Sequence, residues 1–131
     1  MHIFTIGYEA TTMGEFLDAL KRAGVERVID VRALPLSRRA GFSKSPLKAA
    51  LEEAGIGYVH LKALGTPADG RSAARAGRQK DLERIYADQL DLPEAIVQAE
   101  QMRELAAAKP SALLCFEREP AQCHRSLLLK A

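Results

Sequence analysis

The chain has 131 residues, of which 47% are hydrophobic and 27% are charged, and its formal net charge is +2. This length fits one domain with one core, and the composition is that of an ordinary soluble globular protein. The apolar runs are too short to cross a bilayer, and residues 1–5 lack the features of a secretory signal. Two cysteines do not make a disulfide framework. We therefore expect a cytoplasmic protein without membrane association.

Basic residues are concentrated in one segment of the chain. Residues 31–51 contain no acidic residue but include Arg32, Arg38, Arg39, Lys44 and Lys48. Such asymmetry indicates a basic edge that faces an anionic ligand. A second basic cluster, in residues 71–80, is better explained as a solvated surface.

Short apolar runs alternate with amphipathic segments along the chain. The first helix has the clearest start signal, because Thr12 followed by Glu15 is typical of a capping box. Pro46 is placed at the first position of the second helix, where proline is favoured. Residues 64–79 are rich in Gly, Ala and Arg and are predicted to form a loop. The predicted strands are residues 3–6, 25–31, 56–61 and 112–116, and the predicted helices are residues 12–24, 46–55, 80–108 with a break at Pro93, and a last one opened by Pro120.

This alternation of strands and helices predicts an α/β fold, as one three-layer domain over residues 1–131 with a mainly parallel sheet flanked by helices. In open α/β sheets, ligands bind outside the carboxyl ends of the strands. The residues that follow the predicted strands are therefore the candidates for a site. They are Gly7 and Tyr8 after the first strand, Asp30 and Arg32 after the second, His60 after the third, and Cys115 and Glu117 after the fourth.

Each of these candidates has a functional and a structural interpretation. Asp30 and Arg32 are two residues apart and so share a strand face. They fit equally well as a general base with an anion clamp and as an ion pair that fixes the following loop. His60 is either an acid-base residue or a hydrogen-bonded histidine on a half-buried strand. Tyr8 is more typical of a packed aromatic, and Gly7 of a turn or a close ligand approach.

The end of the chain adds a second set of candidates around the predicted final helix. Cys123 falls in its first turn, where the helix dipole favours a thiolate, whereas Cys115 is more typical of a small core residue. Arg125 offers paired donors to an oxyanion, and His124 adjoins it. These cysteines and histidines lack the spacing of a zinc site, so no metal and no cofactor is predicted.

The landmarks together resemble the bacterial and archaeal family called domain of unknown function 488. The resemblance covers nearly the whole chain and is most specific in the final Cys-x-Glu…Cys-His-Arg. It implies an α/β domain with a parallel-type sheet and supplies no reaction. The matching residues are Thr5-Ile6-Gly7-Tyr8, Asp30-Val31-Arg32, Pro35, Ser37-Arg38, Gly41-Phe42-Ser43-Lys44, Leu47, Gly55-Ile56, Tyr58, His60, Leu64-Gly65, Leu114-Cys115, Glu117, Pro120 and Cys123-His124-Arg125.

Three functions remain open at this point. The first is an enzyme, a hydrolase or transferase, that acts on a phosphate-bearing nucleotide or nucleic acid. In it the last helix, Arg32, Arg38, Lys44 and Arg125 would bind the anion, and Asp30, His60 or Glu117 would move protons. The second is thiol chemistry at Cys115 or Cys123. The third is a non-catalytic nucleic-acid-binding module that uses the basic segment, although only Phe42 is available there for stacking.

Overall fold

The computed structural model of the protein describes residues 3–8, 11–33 and 41–115. Their regular elements alternate as the sequence predicts, and the fold is α/β with a parallel sheet. The strands are β1 (Ile3–Gly7), β2 (Arg27–Asp30), β3 (Gly57–His60) and β4 (Ser111–Cys115). The helices are α1 (Met13–Arg22), α2 (Lys44–Glu53), α3 (Ala68–Arg75), α4 (Gln79–Leu90) and α5 (Pro93–Ala108).

The four strands of the described chain lie in the order β1-β4-β2-β3, and every neighbouring pair is parallel. Their carboxyl ends therefore share one edge of the sheet. Asp30 lies beside Leu114 on one side and beside His60 on the other. At the same edge, Gly7 at the end of β1 lies beside Cys115 at the end of β4. The backbone thus brings the ends of all four strands together, as predicted.

Helices cover both faces of the sheet. On the first face, Leu20 of α1 and Leu51 of α2 pack with Val28 and Leu114 in one buried cluster. On the second face, Tyr86 of α4 and Met102 of α5 pack with Ile29 and Leu113. Consecutive strand residues point to opposite faces, which explains why neighbouring residues enter different clusters. The result is the predicted three-layer arrangement.

Local signals explain where α1 begins. The Thr12 side chain accepts a hydrogen bond from the Glu15 backbone N–H, and the Glu15 carboxylate accepts one from the Thr12 N–H. This reciprocal pair is the capping box that the sequence predicts. The helix then buries Phe16 and Leu20 against the sheet.

The start of α2 was predicted too late. The helix begins at Lys44, so Pro46 is its third residue and not its first. The first turn of a helix leaves its backbone N–H groups without intrahelical partners, so proline is tolerated throughout that turn.

The prediction of a loop over residues 64–79 was wrong. A 3-10 turn spans Lys62–Leu64, and α3 occupies Ala68–Arg75. Gly70, which suggested a loop, is required by packing: a Cβ there would lie 2.5 Å from Thr66 Cγ2 and 3.2 Å from Ile85 Cγ2. The predicted break at Pro93 is confirmed, because α4 ends before it and α5 begins at it.

None of the helices in the described part of the chain is long and apolar enough to span a membrane.

Candidate functional site

The carboxyl ends of β2 and β3 form a topological switch point. The chain leaves β2 for α2, which packs on the first face of the sheet. It leaves β3 for the 3-10 turn, α4 and α5, which pack on the second face through Leu64, Tyr86 and Met102. Where two adjacent strands send their connections to opposite faces, a crevice opens that α/β proteins use for ligands. Asp30 and His60, which are register partners, end the two strands at this point.

Asp30 and Arg32 form a buried ion pair at the switch point. Arg32 Nε lies 2.8 Å from Asp30 Oδ1, and Nη2 lies 2.7 Å from Oδ2, so the guanidinium meets the carboxylate as a fork. The Arg32 backbone N–H donates to the same Oδ1 at 3.1 Å. Asp30 is 0% exposed and Arg32 is 5% exposed. Such bidentate, charge-assisted bonds fix the orientation of both groups.

The remaining contacts of Arg32 connect this pair to two other segments. Its Nη1 donates to the Phe42 carbonyl at 2.7 Å and to the Tyr8 hydroxyl at 3.2 Å. The guanidinium carbon lies 5.3 Å from the centroid of the Tyr8 ring, within the range of a cation–π contact. Tyr8 in turn stacks on Phe42 with ring centroids 4.7 Å apart. Arg32 therefore joins the ends of β1 and β2 to the segment that leads into α2.

Tyr58 completes the surroundings of the Asp30 carboxylate. Its hydroxyl donates to Asp30 Oδ2 at 2.6 Å, reaching across from β3. The register pairs Tyr58 with Val28, so the hydroxyl contacts the residue two positions further along β2, on the same face. We call Tyr8, Asp30, Arg32, Tyr58 and His60 the carboxyl-edge cluster.

Burial and bonding change the proton affinities within this cluster. The pKa of Tyr58 lies above its ordinary value, because burial disfavours the phenolate and the hydroxyl is hydrogen-bonded to Asp30. For Arg32, burial alone would lower the pKa, but the hydrogen bonds and charge of Asp30, with help from Tyr8, raise it overall. Tyr58 therefore stays neutral and Arg32 stays charged across the physiological range.

His60 is held by the backbone of the same cluster. Its ring Nε2 lies 2.8 Å from the Arg32 carbonyl oxygen, and the residue is half-buried. A carbonyl can only accept, so Nε2 carries a proton and donates. In the neutral ring the other nitrogen, Nδ1, is then the one with a free lone pair. Within the described part of the chain, the Arg32 carbonyl is the one hydrogen-bond partner of this ring.

A glycine after β3 allows the two loops at the switch point to touch. A Cβ on Gly65 would lie 2.1 Å from the Ala33 backbone nitrogen and 2.5 Å from its Cα. Only a residue without a side chain fits there, so the segment after Arg32 packs directly on the segment after the 3-10 turn. This contact supports the position of the Arg32 backbone.

The described structure thus unites four of the predicted site residues: Tyr8, Asp30, Arg32 and His60. Two further contributors, Tyr58 and the Phe42 carbonyl, were not predicted as site groups. Tyr58 could have been found, since it precedes His60 by two residues and so shares its strand face. A backbone carbonyl such as that of Phe42 leaves no signal in a sequence.

The other predicted residues are placed less fully. Gly7 and the backbone of Cys115 lie side by side where β1 and β4 end. Lys44 is exposed in the first turn of α2, which contains no acidic residue. Five candidates lie outside the described residues: Arg38, Glu117, Cys123, His124 and Arg125.

The cluster is suited to binding and proton transfer by side chains. Within residues 3–8, 11–33 and 41–115, no group of three or more His, Cys, Asp or Glu side chains is arranged to hold a metal ion. The Asp30 carboxylate, the natural metal ligand of the cluster, is already bonded to Arg32 and Tyr58.

The comparisons with known proteins identify the family of the chain through its sequence model. No curated protein and no solved structure matched the chain significantly. The sequence model of the family described as domain of unknown function DUF488 matches residues 12–131. This match covers both strands of the switch point and the residues that carry the resemblance from Asp30 onward. The chain belongs to the DUF488 family.

Proposed function

We propose that the protein is a cytoplasmic enzyme, a hydrolase or transferase, that binds a phosphate-bearing ligand at the carboxyl edge of the sheet. The ligand class is a nucleotide or a nucleic acid. The observation that carries the proposal is the carboxyl-edge cluster itself, because its titratable groups meet at the switch point between β2 and β3. A cluster of buried charge and acid-base groups in such a crevice is a functional-site candidate.

The charge around the cluster favours an anionic ligand. Asp30 and Arg32 neutralise each other, so the surrounding positive charge comes from other residues of the acid-free segment 31–51. Lys44 is exposed in the first turn of α2, and Phe42, just before this helix, contacts Arg32. The positive end of the helix dipole lies at the same place. Arg38 and Arg125 are predicted to add further charge.

Phosphate fits this arrangement better than a carboxylate. It offers several oxygens to donors that approach from different segments, and its charge is attracted by lysine and arginine over a distance. Because the Asp30–Arg32 pair has no net charge, it would form a rigid side of the binding site. It would not supply most of the positive charge that attracts the anion. The anion contacts are therefore proposed to come from other side chains of the basic segment and of the predicted last helix.

Isothermal calorimetry with inorganic phosphate, nucleotides and a short oligonucleotide tests the proposal. Binding should weaken as salt is raised, because the attraction is electrostatic. Arg125→Ala should weaken binding by about tenfold or more, the usual worth of a charged hydrogen bond. Lys44→Ala should weaken it by about two- to fivefold, as expected for an exposed charge.

Lys48→Ala is the matched control, since Lys48 lies one turn further along α2 and is paired with Glu52 at 4.0 Å. It should bind like the wild type. The absence of binding by the wild type at millimolar ligand would reject the proposal and leave thiol chemistry at Cys115 or Cys123 as the leading alternative. Equal losses in the Lys44 and Lys48 variants would show unspecific attraction to the basic surface.

A further inference from the structure

We propose that His60, acting through Nδ1, is the proton-transfer residue of this site, and that Asp30 and Arg32 are positioning residues. This inference rests on the proposed function and specifies which group performs its acid-base step. Among the three titratable positions that the sequence offers for that step, Asp30, His60 and Glu117, the geometry separates the first two.

Asp30 has no capacity left to accept a proton from a ligand. Its two oxygens already accept from Arg32 Nε, Arg32 Nη2, the Arg32 backbone N–H and the Tyr58 hydroxyl. A carboxylate offers about four acceptor positions, so these bonds fill them. The side chain is also completely buried. Asp30 therefore anchors Arg32 and does not exchange protons with a ligand.

Arg32 and Tyr58 are also unsuited to proton transfer. The contacts with Asp30 raise the pKa of the Arg32 guanidinium, which therefore stays charged. The Tyr58 hydroxyl directs its single proton to Asp30 Oδ2, and burial raises its pKa as well. A group with its proton committed inside the protein has nothing to donate to a ligand.

His60 has the opposite arrangement. Its Nε2–H donates to the Arg32 carbonyl oxygen, with 2.8 Å between Nε2 and that oxygen. This bond fixes the ring and leaves the Nδ1 lone pair as the basic position. The Arg32 backbone is itself fixed, by the bond from its N–H to Asp30 and by the close packing of Ala33 on Gly65. Asp30 thus acts on His60 through Arg32, in the way that an orienting group sets the tautomer of a catalytic histidine.

The proton step can be written for hydrolysis of a phosphate ester. A water oxygen forms a bond to phosphorus, and His60 Nδ1 takes one of its protons. The bond between phosphorus and the leaving oxygen breaks, and that oxygen keeps the electron pair. The leaving oxygen takes a proton from solvent water, and the proton on Nδ1 is released to solvent, which restores neutral His60.

Nitrogen-15 NMR of the histidine side chains tests the inference without a known substrate. The chain has three histidines, and the His60 signals are assigned by their loss in His60→Gln. In the neutral ring, the tautomer with the proton on Nε2 should be favoured over the other tautomer by about fivefold or more, as expected from one net hydrogen bond. Inorganic phosphate should then shift the Nδ1 resonance and leave Nε2 bonded.

Two further variants test the positioning role. Arg32→Lys keeps the charge but loses the fork to Asp30, so Nε2–H should exchange faster with water and the tautomer preference should fall. Tyr58→Phe leaves the Asp30–Arg32 fork in place, so it should keep the tautomer. His60→Gln keeps a donor for the Arg32 carbonyl but cannot take a proton, so it should fold normally by circular dichroism.

The outcomes separate the inference from the proposed function. A preference for the Nδ1–H tautomer, or phosphate binding in calorimetry that leaves the His60 resonances unchanged, would overturn the inference while the phosphate site stands. A failure of phosphate to bind would reject the proposed function and, with it, the role of His60. Unaltered exchange in Arg32→Lys would remove the positioning role of Arg32.

Discussion

Arg32 and Asp30 meet side by side, with two nitrogens of one guanidinium 2.7 and 2.8 Å from the two oxygens of one carboxylate. Both residues are buried at the end of β2. When two charges leave water together, their attraction mainly offsets the cost of desolvation. Removing one partner leaves the other charge buried and unpaired, which is much more costly than removing both. The pair is therefore expected to behave as a unit.

The two single substitutions in this pair should together lower the free energy of unfolding by more than the double substitution does. Asp30→Asn and Arg32→Met should each lower the free energy of unfolding by about 3–5 kcal/mol, the usual cost of an orphaned buried charge. The double variant should lose less than the sum of the two, with a coupling energy of about 1–3 kcal/mol. Urea unfolding followed by far-UV circular dichroism measures this, since the chain has no tryptophan to report by fluorescence.

An exposed pair on α5 provides the comparison. Arg103 and Glu100 lie 3.0 Å apart, but their side chains are 51% and 63% exposed. Water and salt screen such a pair, so Arg103→Met and Glu100→Gln should couple by less than about 0.5 kcal/mol. Equal coupling in the two cycles would mean that burial does not strengthen the Asp30–Arg32 interaction.

Alkaline pH should reveal the burial of Tyr58 and its hydrogen bond to Asp30, which together raise its pKa. Tyrosine in an unfolded chain titrates near pH 10, whereas the folded state raises the pKa of Tyr58 and, through burial, that of Tyr86. The stability they contribute is complete below about pH 10 and is lost as pH rises toward the folded pKa. Each tyrosine should then lower the free energy of unfolding by about 1.4 kcal/mol per pH unit.

Tyr58→Phe removes one of these contributions. The difference in stability between the wild type and this variant should be constant from neutral pH to about pH 9 and should shrink above about pH 10. Tyr86→Phe, on the other face of the sheet, should show the same narrowing. Denaturant unfolding at a series of pH values, with tyrosinate absorbance as a second probe, measures it. Profiles that stay parallel up to pH 11 would contradict the role assigned to Tyr58.

Much of this fold can be predicted because local and overall signals agree. Alternating strands and helices indicate a parallel sheet, and the carboxyl edge follows from it. The pairing of Asp30 with Arg32 follows from their spacing at the end of a strand. The capping box at Thr12 and the break at Pro93 depend on only a few neighbouring residues, so both can be predicted from the local sequence.

The rest depends on contacts between distant segments. The placement of β4 between β1 and β2 is a property of the packed sheet, and it determines which strand ends are neighbours. The sequence did not predict α3, because glycine is a poor helix former and Gly70 locally favours a loop. In the fold, Gly70 is required because Thr66 and Ile85 pack too closely to leave room for a side chain there. The bond from Tyr58 to Asp30 crosses between strands, and its partner is known only once the register is fixed.

The capping box of α1 should be measurable as a stability effect. Thr12→Ala removes the acceptor for the Glu15 N–H, which lies 3.1 Å from the Thr12 hydroxyl oxygen. The loss should be about 1 kcal/mol in the free energy of unfolding. Thr12→Ser keeps the oxygen and should be close to the wild type. An equal loss in both variants, measured by urea unfolding, would assign the effect to the threonine methyl group and not to the cap.

Two glycine-to-alanine substitutions should change stability in opposite directions. At Gly65 the new methyl would lie 2.1 Å from the Ala33 nitrogen, which is backbone and cannot rotate away. The loops after β2 and β3 must then separate, so Gly65→Ala should destabilise the protein by about 1–3 kcal/mol or more, as overpacking does. Because Ala33 follows Arg32, the same variant should also disturb the bond between His60 and the Arg32 carbonyl.

At Gly14, in α1, nothing lies within 4 Å of the new methyl, so Gly14→Ala should be stabilising by about 0.5–1 kcal/mol through helix propensity alone. Thermal unfolding of the two variants beside the wild type gives both signs in one experiment. A Gly65→Ala protein as stable as the wild type would mean that the two loops are not in contact at the switch point.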